Sequence, residues 1–213
     1  MNRLKQFLRE NGIYILLTHL AARSLGLVRN YSIARKLGVK RLNIGPRAYL
    51  RGLSSIHIGE DFSAEAGLWL EAITDYNGQK FLPKIVIGKY ARMSQFVHIA
   101  ATHFIEIGDN VLMGSNVMIT DHNHGQYSRE HTSPSIAPTL RLLDHDRRVV
   151  IGRNVWLGNG VVVTPGSWIG EGVIIGANSV VVGSIPPFTL AAGVPATVRK
   201  IYNFATEKWS NIE

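Results

Sequence analysis

Over the last third of the chain an aliphatic residue returns at every sixth position: Ile151, Leu157, Val163, Ile169, Ile175 and Val181. Glycine follows at once in Gly152, Gly158, Gly170 and Gly176. Two residues before each aliphatic stands a small or β-branched side chain: Val149, Val155, Val161, Ser167, Val173 and Ser179. A helix of 3.6 residues per turn cannot keep positions six apart on one face. Three short strands per coil can. Each flat side then contributes one inward aliphatic, glycine relieves the strained corners, and stacked coils bury a core that no single repeat could bury alone. The same frame runs through Ile87, Met93 and Ile99, then Ile107, Met113 and Ile119, and more raggedly around Ile44-Gly45 and Ile58-Gly59. The period predicts an all-β chain folded as a parallel β-helix.

The frame breaks twice. Asp75–Lys84 reads as a small surface loop between the coils near Leu70 and Ile87. The step from Ile119 to Ile151 is far longer than six, so the chain leaves the coil over about residues 123–148, in a stretch mixing His, Arg, Pro and Tyr. Long excursions from a compact repeat are commonly functional. Residues 1–41 follow a different rule: Leu4, Leu8, Ile13, Leu16, Leu17, Leu20 and Leu27 are spaced roughly as on a helix face, which predicts one or two short amphipathic helices. Residues 42–198 form the β-helix, and residues 199–213 a short capping segment that keeps the last strand edges from pairing further.

The absence of cysteine excludes disulfides, thiolate metal sites and a cysteine nucleophile, and permits a cytoplasmic address. Charge is uneven. Residues 1–59 hold 11 Lys and Arg against Glu10 alone, a balance of +10, whereas residues 60–213 hold 12 against 14 acidic residues, a balance of −2. The apolar stretch Gly12–Val28 is broken by His19 and Arg23, lacks a small-residue cleavage pattern, and is too short and interrupted to span a bilayer. A basic amphipathic segment fits peripheral attachment to the inner face of the cell membrane, at about 1 kcal/mol per Lys or Arg near anionic headgroups. Packing of the segment on the protein, with solvated cations, is the plain alternative. Nucleic acid is disfavoured because no stacking aromatic pattern accompanies the charge.

The stretches Ile151-Gly-Arg-Asn-Val-Trp-Leu-Gly158, Gly176-Ala-Asn-Ser179 and Ala192-Gly-Val-Pro-Ala196 resemble the hexapeptide-repeat acyltransferases. The likeness covers roughly residues 55–202. More narrowly, Ile119-Thr-Asp-His-Asn-His-Gly125 followed by a Pro-containing loop is similar to the sugar and polysaccharide O-acetyltransferases. This resemblance implies a left-handed β-helix, a homotrimer, acetyl-CoA as co-substrate with no metal required, and transfer of acetyl to a sugar hydroxyl of a cell-surface polysaccharide or its lipid-linked precursor. It also implies direct transfer in a ternary complex, which needs no acyl-enzyme.

His122, three positions past the inward Ile119, matches the family's general base. An alcohol is a poor nucleophile at neutral pH, and an imidazole is suited to take its proton. Asp121 either orients an imidazole or bonds the backbone at a turn. His124 is a second candidate for the base. His98, on the preceding coil, could approach the same cleft or hold the acceptor, with a satisfied turn histidine as the alternative. By the resemblance, Trp156 and Asn159 line the pantetheine end of a groove between two subunits, the Ala177 backbone bonds the pantetheine amides, and Arg199 and Lys200 meet the CoA phosphates. Plain packing for Trp156 and a solvated pair for the two cations are the bland readings. The chain departs from the family at Val182-Gly183, where Thr-Lys is common, and at Thr197, where a cation is common.

Three rivals stand beside this reading. An amino-sugar N-acetyltransferase, or another acyltransferase, shares the fold. A γ-type carbonic anhydrase shares it too, and His98 and His103 have a suitable separation, but Phe62 and Gly67 stand where the third zinc-binding histidine is expected. A non-catalytic scaffold is the third.

Overall fold

The computed structural model describes residues 3–127 and 131–212. Short strands stack into three parallel sheets that form the sides of a prism. The first sheet runs, coil by coil, through Leu42–Ile44, Phe62–Ala64, Arg92–Met93, Leu112–Met113, Trp156–Leu157, Ile174–Ile175 and Thr189–Ala192. The second runs through Tyr49–Arg51, Trp69–Ala72, His98–Ala101, Met118–Thr120, Val162–Val163 and Val180–Val181. The third is made of Ile56–Ile58, Lys84–Ile87, Phe104–Ile107, Val149–Ile151, Trp168–Ile169 and Ser184–Ile185.

The six-residue frame is the core. Ile151, Leu157, Val163, Ile169, Ile175 and Val181 are all at most 1% exposed. Burying a side chain of this size is worth roughly 1.5–3 kcal/mol, and the ladder repeats that term in each coil. The companion positions are buried as well, including two serines whose hydroxyls bond the backbone: Ser167 Oγ donates to the Val181 carbonyl, and Ser179 Oγ accepts from the Gly193 amide. Gly158 marks how closely coils approach, since a Cβ there would lie 2.7 Å from the Ala177 nitrogen.

Both breaks in the frame leave from the corner between the second and third sheets. The segment expected as a loop is instead a hairpin pairing Asp75–Tyr76 with Gln79–Lys80. Its turn residues Asn77 and Gly78 both have positive φ, 45° and 82°, as a tight two-residue hairpin demands. The longer excursion contains residues 128–130, which are outside the described set, and closes with Asn123–His124 antiparallel to Leu143–Asp144. The two excursions dock on each other. Tyr76 Oη and Asn77 Nδ2 both donate to the Thr139 carbonyl, at 2.9 and 2.6 Å, while Gln79 exchanges two hydrogen bonds with the Leu143 backbone.

Ahead of the prism lies α1, Arg3–Leu37, interrupted at Gly12 by non-helical angles. The side chains of Leu4, Leu8, Leu16 and Leu20 lie outside the described set; Ile13, Leu17 and Leu27 are exposed, and Ile33 and Leu37 pack on the core. Arg29 donates to the carbonyls of Ile44 and Gly45, and Asn30 to Asn43, so the end of α1 is seated on the first coil. At the far end Thr197–Asn203 and Lys208–Asn211 continue the first sheet in the antiparallel sense.

Candidate functional site

Where the chain leaves the second sheet, Ile119 points inward, Thr120 lies outward beside it, and Asp121 and His122 form the first turn of the excursion. Asp121 is fully buried, and its carboxylate gathers donors from the coil below. Oδ1 accepts from the Thr102 amide at 2.8 Å and the Thr102 hydroxyl at 3.1 Å; Oδ2 accepts from the amides of His103 and Phe104, both at 2.8 Å. Oδ1 also lies 3.0 Å from Nδ1 of His122. Asp121 therefore combines both tasks weighed from the sequence: it ties down a turn and it holds an imidazole.

An ionised carboxylate only accepts hydrogen bonds, so Nδ1 must carry the proton that faces Asp121. Thr120 Oγ1, 3.1 Å from the same Nδ1, donates its own hydrogen to the His122 carbonyl. The tautomer is thereby fixed with the lone pair on Nε2, on a side chain 11% exposed. Such a nitrogen can take a proton from a bound hydroxyl, and Asp121 is placed to stabilise the imidazolium that forms. Thr120 and Thr102 were not singled out from sequence; the one signal for Thr120 is its outward position next to an inward frame residue.

His98 stands on the preceding coil, opposite Met118 in the second sheet. Burial lowers its pKa below 6.5, the carboxylate of Glu71 partly offsets this, and the nearby His122 adds to the lowering. His124 is engaged elsewhere. Its Nδ1 lies 3.3 Å from Tyr76 Oη and its ring meets Tyr76 edge-on, so it links the two excursions. Among the described residues no group of three or more His, Asp or Glu is arranged to hold a metal ion.

The other candidates gather along a different edge. Trp156, half exposed, stands outward on the first sheet between Leu112 and Ile174. Asn159 and Ala177 are exposed in successive coils at the corner between the first and second sheets, and Asn159 Oδ1 accepts from the Ser115 amide. Arg199 and Lys200, both exposed, lie on the antiparallel strand that follows, and the Arg199 guanidinium reaches the Gly193 turn of that corner. An exposed indole, two exposed corner residues and two exposed cations are the kinds of group that a long thiol cofactor ending in phosphates needs. Within one chain the second sheet separates this edge from His122.

Residues 148–183 match the family model described as bacterial transferase hexapeptide, six repeats. The putative lipopolysaccharide biosynthesis O-acetyl transferase WbbJ of Escherichia coli K12 is 45% identical over 163 residues, covering 76% of this chain and 79% of that protein. The galactoside O-acetyltransferase of the same organism is 30% identical over 160 residues, 75% of this chain and 61% of that protein. Among solved structures, a mutant of AntD, an N-acyltransferase from Bacillus cereus, in complex with dTDP-4-amino-4,6-dideoxyglucose and coenzyme A, superposes with a TM-score of 0.60 at 21% identity, covering 75% of this chain and 80% of that one. At that identity the likeness speaks to the fold.

Proposed function

The chain belongs to the hexapeptide-repeat acyltransferases, with their left-handed parallel β-helix, and from that premise we propose that it is an acetyl-CoA-dependent O-acetyltransferase acting on a sugar hydroxyl of a cell-surface polysaccharide or its lipid-linked precursor. The observation that carries the residue roles is the Thr120–Asp121–His122 arrangement, which leaves Nε2 of His122 as the basic nitrogen. Bound acetyl-CoA supplies an activated acyl group as a thioester. His122 takes the proton of the acceptor hydroxyl as its oxygen bonds to the acyl carbon, and returns that proton to the sulfur as the carbon–sulfur bond breaks. Asp121 holds Nδ1 through both steps. Trp156, Asn159 and the Ala177 backbone orient the pantetheine arm, and Arg199 and Lys200 meet the phosphates.

The direct test is mass spectrometry of the cell-surface polysaccharide from cells with the protein, without it, and with His122→Ala. One acetyl per modified sugar should appear only with the intact protein. Its release by mild base identifies an ester; a base-stable acetyl would assign an amide instead, and with it N-acetylation.

The separation of His122 from the Trp156–Arg199 edge supports a homotrimer in which each site is shared by two subunits. Mixing inactive His122→Ala and Arg199→Ala subunits should then regenerate activity. Failure of all such mixtures, with trimers formed, would place each site within one chain.

No helix among the described residues is long and apolar enough to cross a membrane. The basic N-terminal segment, with Ile13, Tyr14, Leu17, Leu25, Leu27 and Val28 exposed, supports peripheral attachment to anionic lipid at the cytoplasmic face. Because Arg29 and Asn30 seat α1 on the prism, the informative truncation removes residues 1–24 only. It should shift the protein from the membrane to the soluble fraction, and undiminished membrane association would refute the attachment.

A further inference from the structure

On the outer face of the second sheet, below His122, two columns of side chains run down the coils. One is Met118, His98, Trp69, Tyr49, and the other Thr120, Ala100, Glu71, Arg51. The first column is an aromatic run: the Trp69 ring lies 5.0 Å from His98 and 4.6 Å from Tyr49, centroid to centroid. Trp69 and Tyr49 are each 43% exposed, so the run is a surface and not part of the core. Beside it Glu71, only 8% exposed, accepts from Trp69 Nε1 at 2.9 Å and from Arg51 Nη1 at 3.0 Å. Arg51 extends to within 3.8 Å of Asp75, at the base of the hairpin, and both keep about half of their side-chain surface exposed. Ala100, itself buried, stands between Glu71 and Thr120 in the second column.

An exposed indole and phenol present flat apolar faces that suit the C–H face of a pyranose ring. A guanidinium and a carboxylate at their margin supply the donors and acceptors that sugar hydroxyls need. With neighbouring strands about 4.8 Å apart, Tyr49 lies about 14 Å from the coil that ends at the base, which is a reach for an oligosaccharide and not for one sugar.

We propose that Tyr49, Trp69, Arg51 and Asp75 form a glycan platform that holds the sugar units next to the one being acetylated, with Glu71 positioning Trp69 and Arg51. The acceptor is then recognised as a chain. The platform rests on the O-acetyltransferase reading and names the form in which that reading's acceptor arrives.

The test compares two acceptors, the host cell's surface polysaccharide stripped of O-acetyl by mild base and its component monosaccharides. For Trp69→Ala the ratio of the polysaccharide KM to the monosaccharide KM should rise about tenfold, the scale of one aromatic contact. Trp69→Phe should restore most of it, and the KM for acetyl-CoA should not move. An unchanged ratio overturns the platform. So does a Trp69→Ala protein that loses its oligomeric state, since the column would then be a subunit contact. If the wild type acetylates neither acceptor, the finished polysaccharide falls as the acceptor of the O-acetyltransferase reading, and the platform is judged by fluorescence titration with the stripped polysaccharide. Binding lost in Trp69→Ala supports it; equal binding overturns it.

Discussion

From the third sheet to the first, the inward residues advance from Ile58 to Ala64, Ile87 to Met93, Ile107 to Met113, Ile151 to Leu157 and Ile169 to Ile175, always the same step. From the first sheet to the second they keep that step, as in Ala64 to Leu70, Met93 to Ile99, Met113 to Ile119 and Leu157 to Val163. At the remaining corner the step varies: Val163 to Ile169 keeps it and Leu50 to Ile58 matches Ile99 to Ile107, but Leu70 leads to Ile87, Ile119 to Ile151 and Val181 to Ile185. The two constant corners carry a left-handed residue in coil after coil, among them Phe96, Asn116 and Asn178 at one and Tyr90, Asn110 and Asn154 at the other. A turn of fixed length and conformation keeps successive coils in line, so these corners tolerate no insertion. The variable corner needs only to return the chain in register, as it does where Ile107 meets Ile151, and lengthening such a connection costs little because closure entropy grows slowly with length. Stability is concentrated where the turns repeat, and the candidate base His122 sits where they do not.

This contrast can be broken in several ways. The largest effect is expected at the variable corner without loss of fold. His122→Ala should lower kcat by about 10³-fold, within the range for general-base removal, and leave the thermal midpoint within a degree or two of wild type. Asp121→Ala should blur the division, because three backbone amides lose their acceptor. At about 1 kcal/mol or more for each stranded donor, denaturant unfolding should show a loss of about 3 kcal/mol, and kcat should fall as well. Gly152→Ala, at a constant corner, forces the Glu171 backbone away and should cost about 1–3 kcal/mol, with kcat at low temperature little changed. Tyr76→Phe removes a hydrogen bond between the two excursions. Its cost of about 1 kcal/mol should appear chiefly as faster hydrogen exchange near Thr139 and His124.

The smallest effect is electrostatic. The folded chain disfavours protonated His98, so as pH falls below 6.5 the unfolded chain takes up this proton first. Stability should decline from about that pH down to the lowered pKa, and be fully present above 6.5. In His98→Asn that part of the decline should vanish, which paired denaturation curves at several pH values would reveal.

The inward ladder was legible because burial recurs at fixed spacing and aliphatic side chains record it directly. The site was legible only in part. His122 could be named from a motif, but the donors that fix Asp121 come from Thr102, His103 and Phe104, one coil away, where nothing local marks them. The same distance hid the partnership of Tyr76 with His124, and made a second base candidate of a residue that bridges two excursions. The segment around Asn77-Gly78 reads as a loop and not as a hairpin because it has too little alternation to show paired strands. Residues such as Phe96 and Tyr90 at left-handed corners give no clue by type, since the stacked coils impose a conformation their side chains disfavour.

A column of parallel strands is also a template for polymer growth, because its last rung offers the hydrogen-bonding groups that another chain would need. Here the two ends of the first sheet are closed by different chemistry. At one end the Arg29 guanidinium occupies the carbonyls of Ile44 and Gly45; at the other the chain reverses direction, and an antiparallel rung cannot seed a parallel one. The molecule is in this sense a fibre halted after a few turns, and a single cation is part of what keeps it finite.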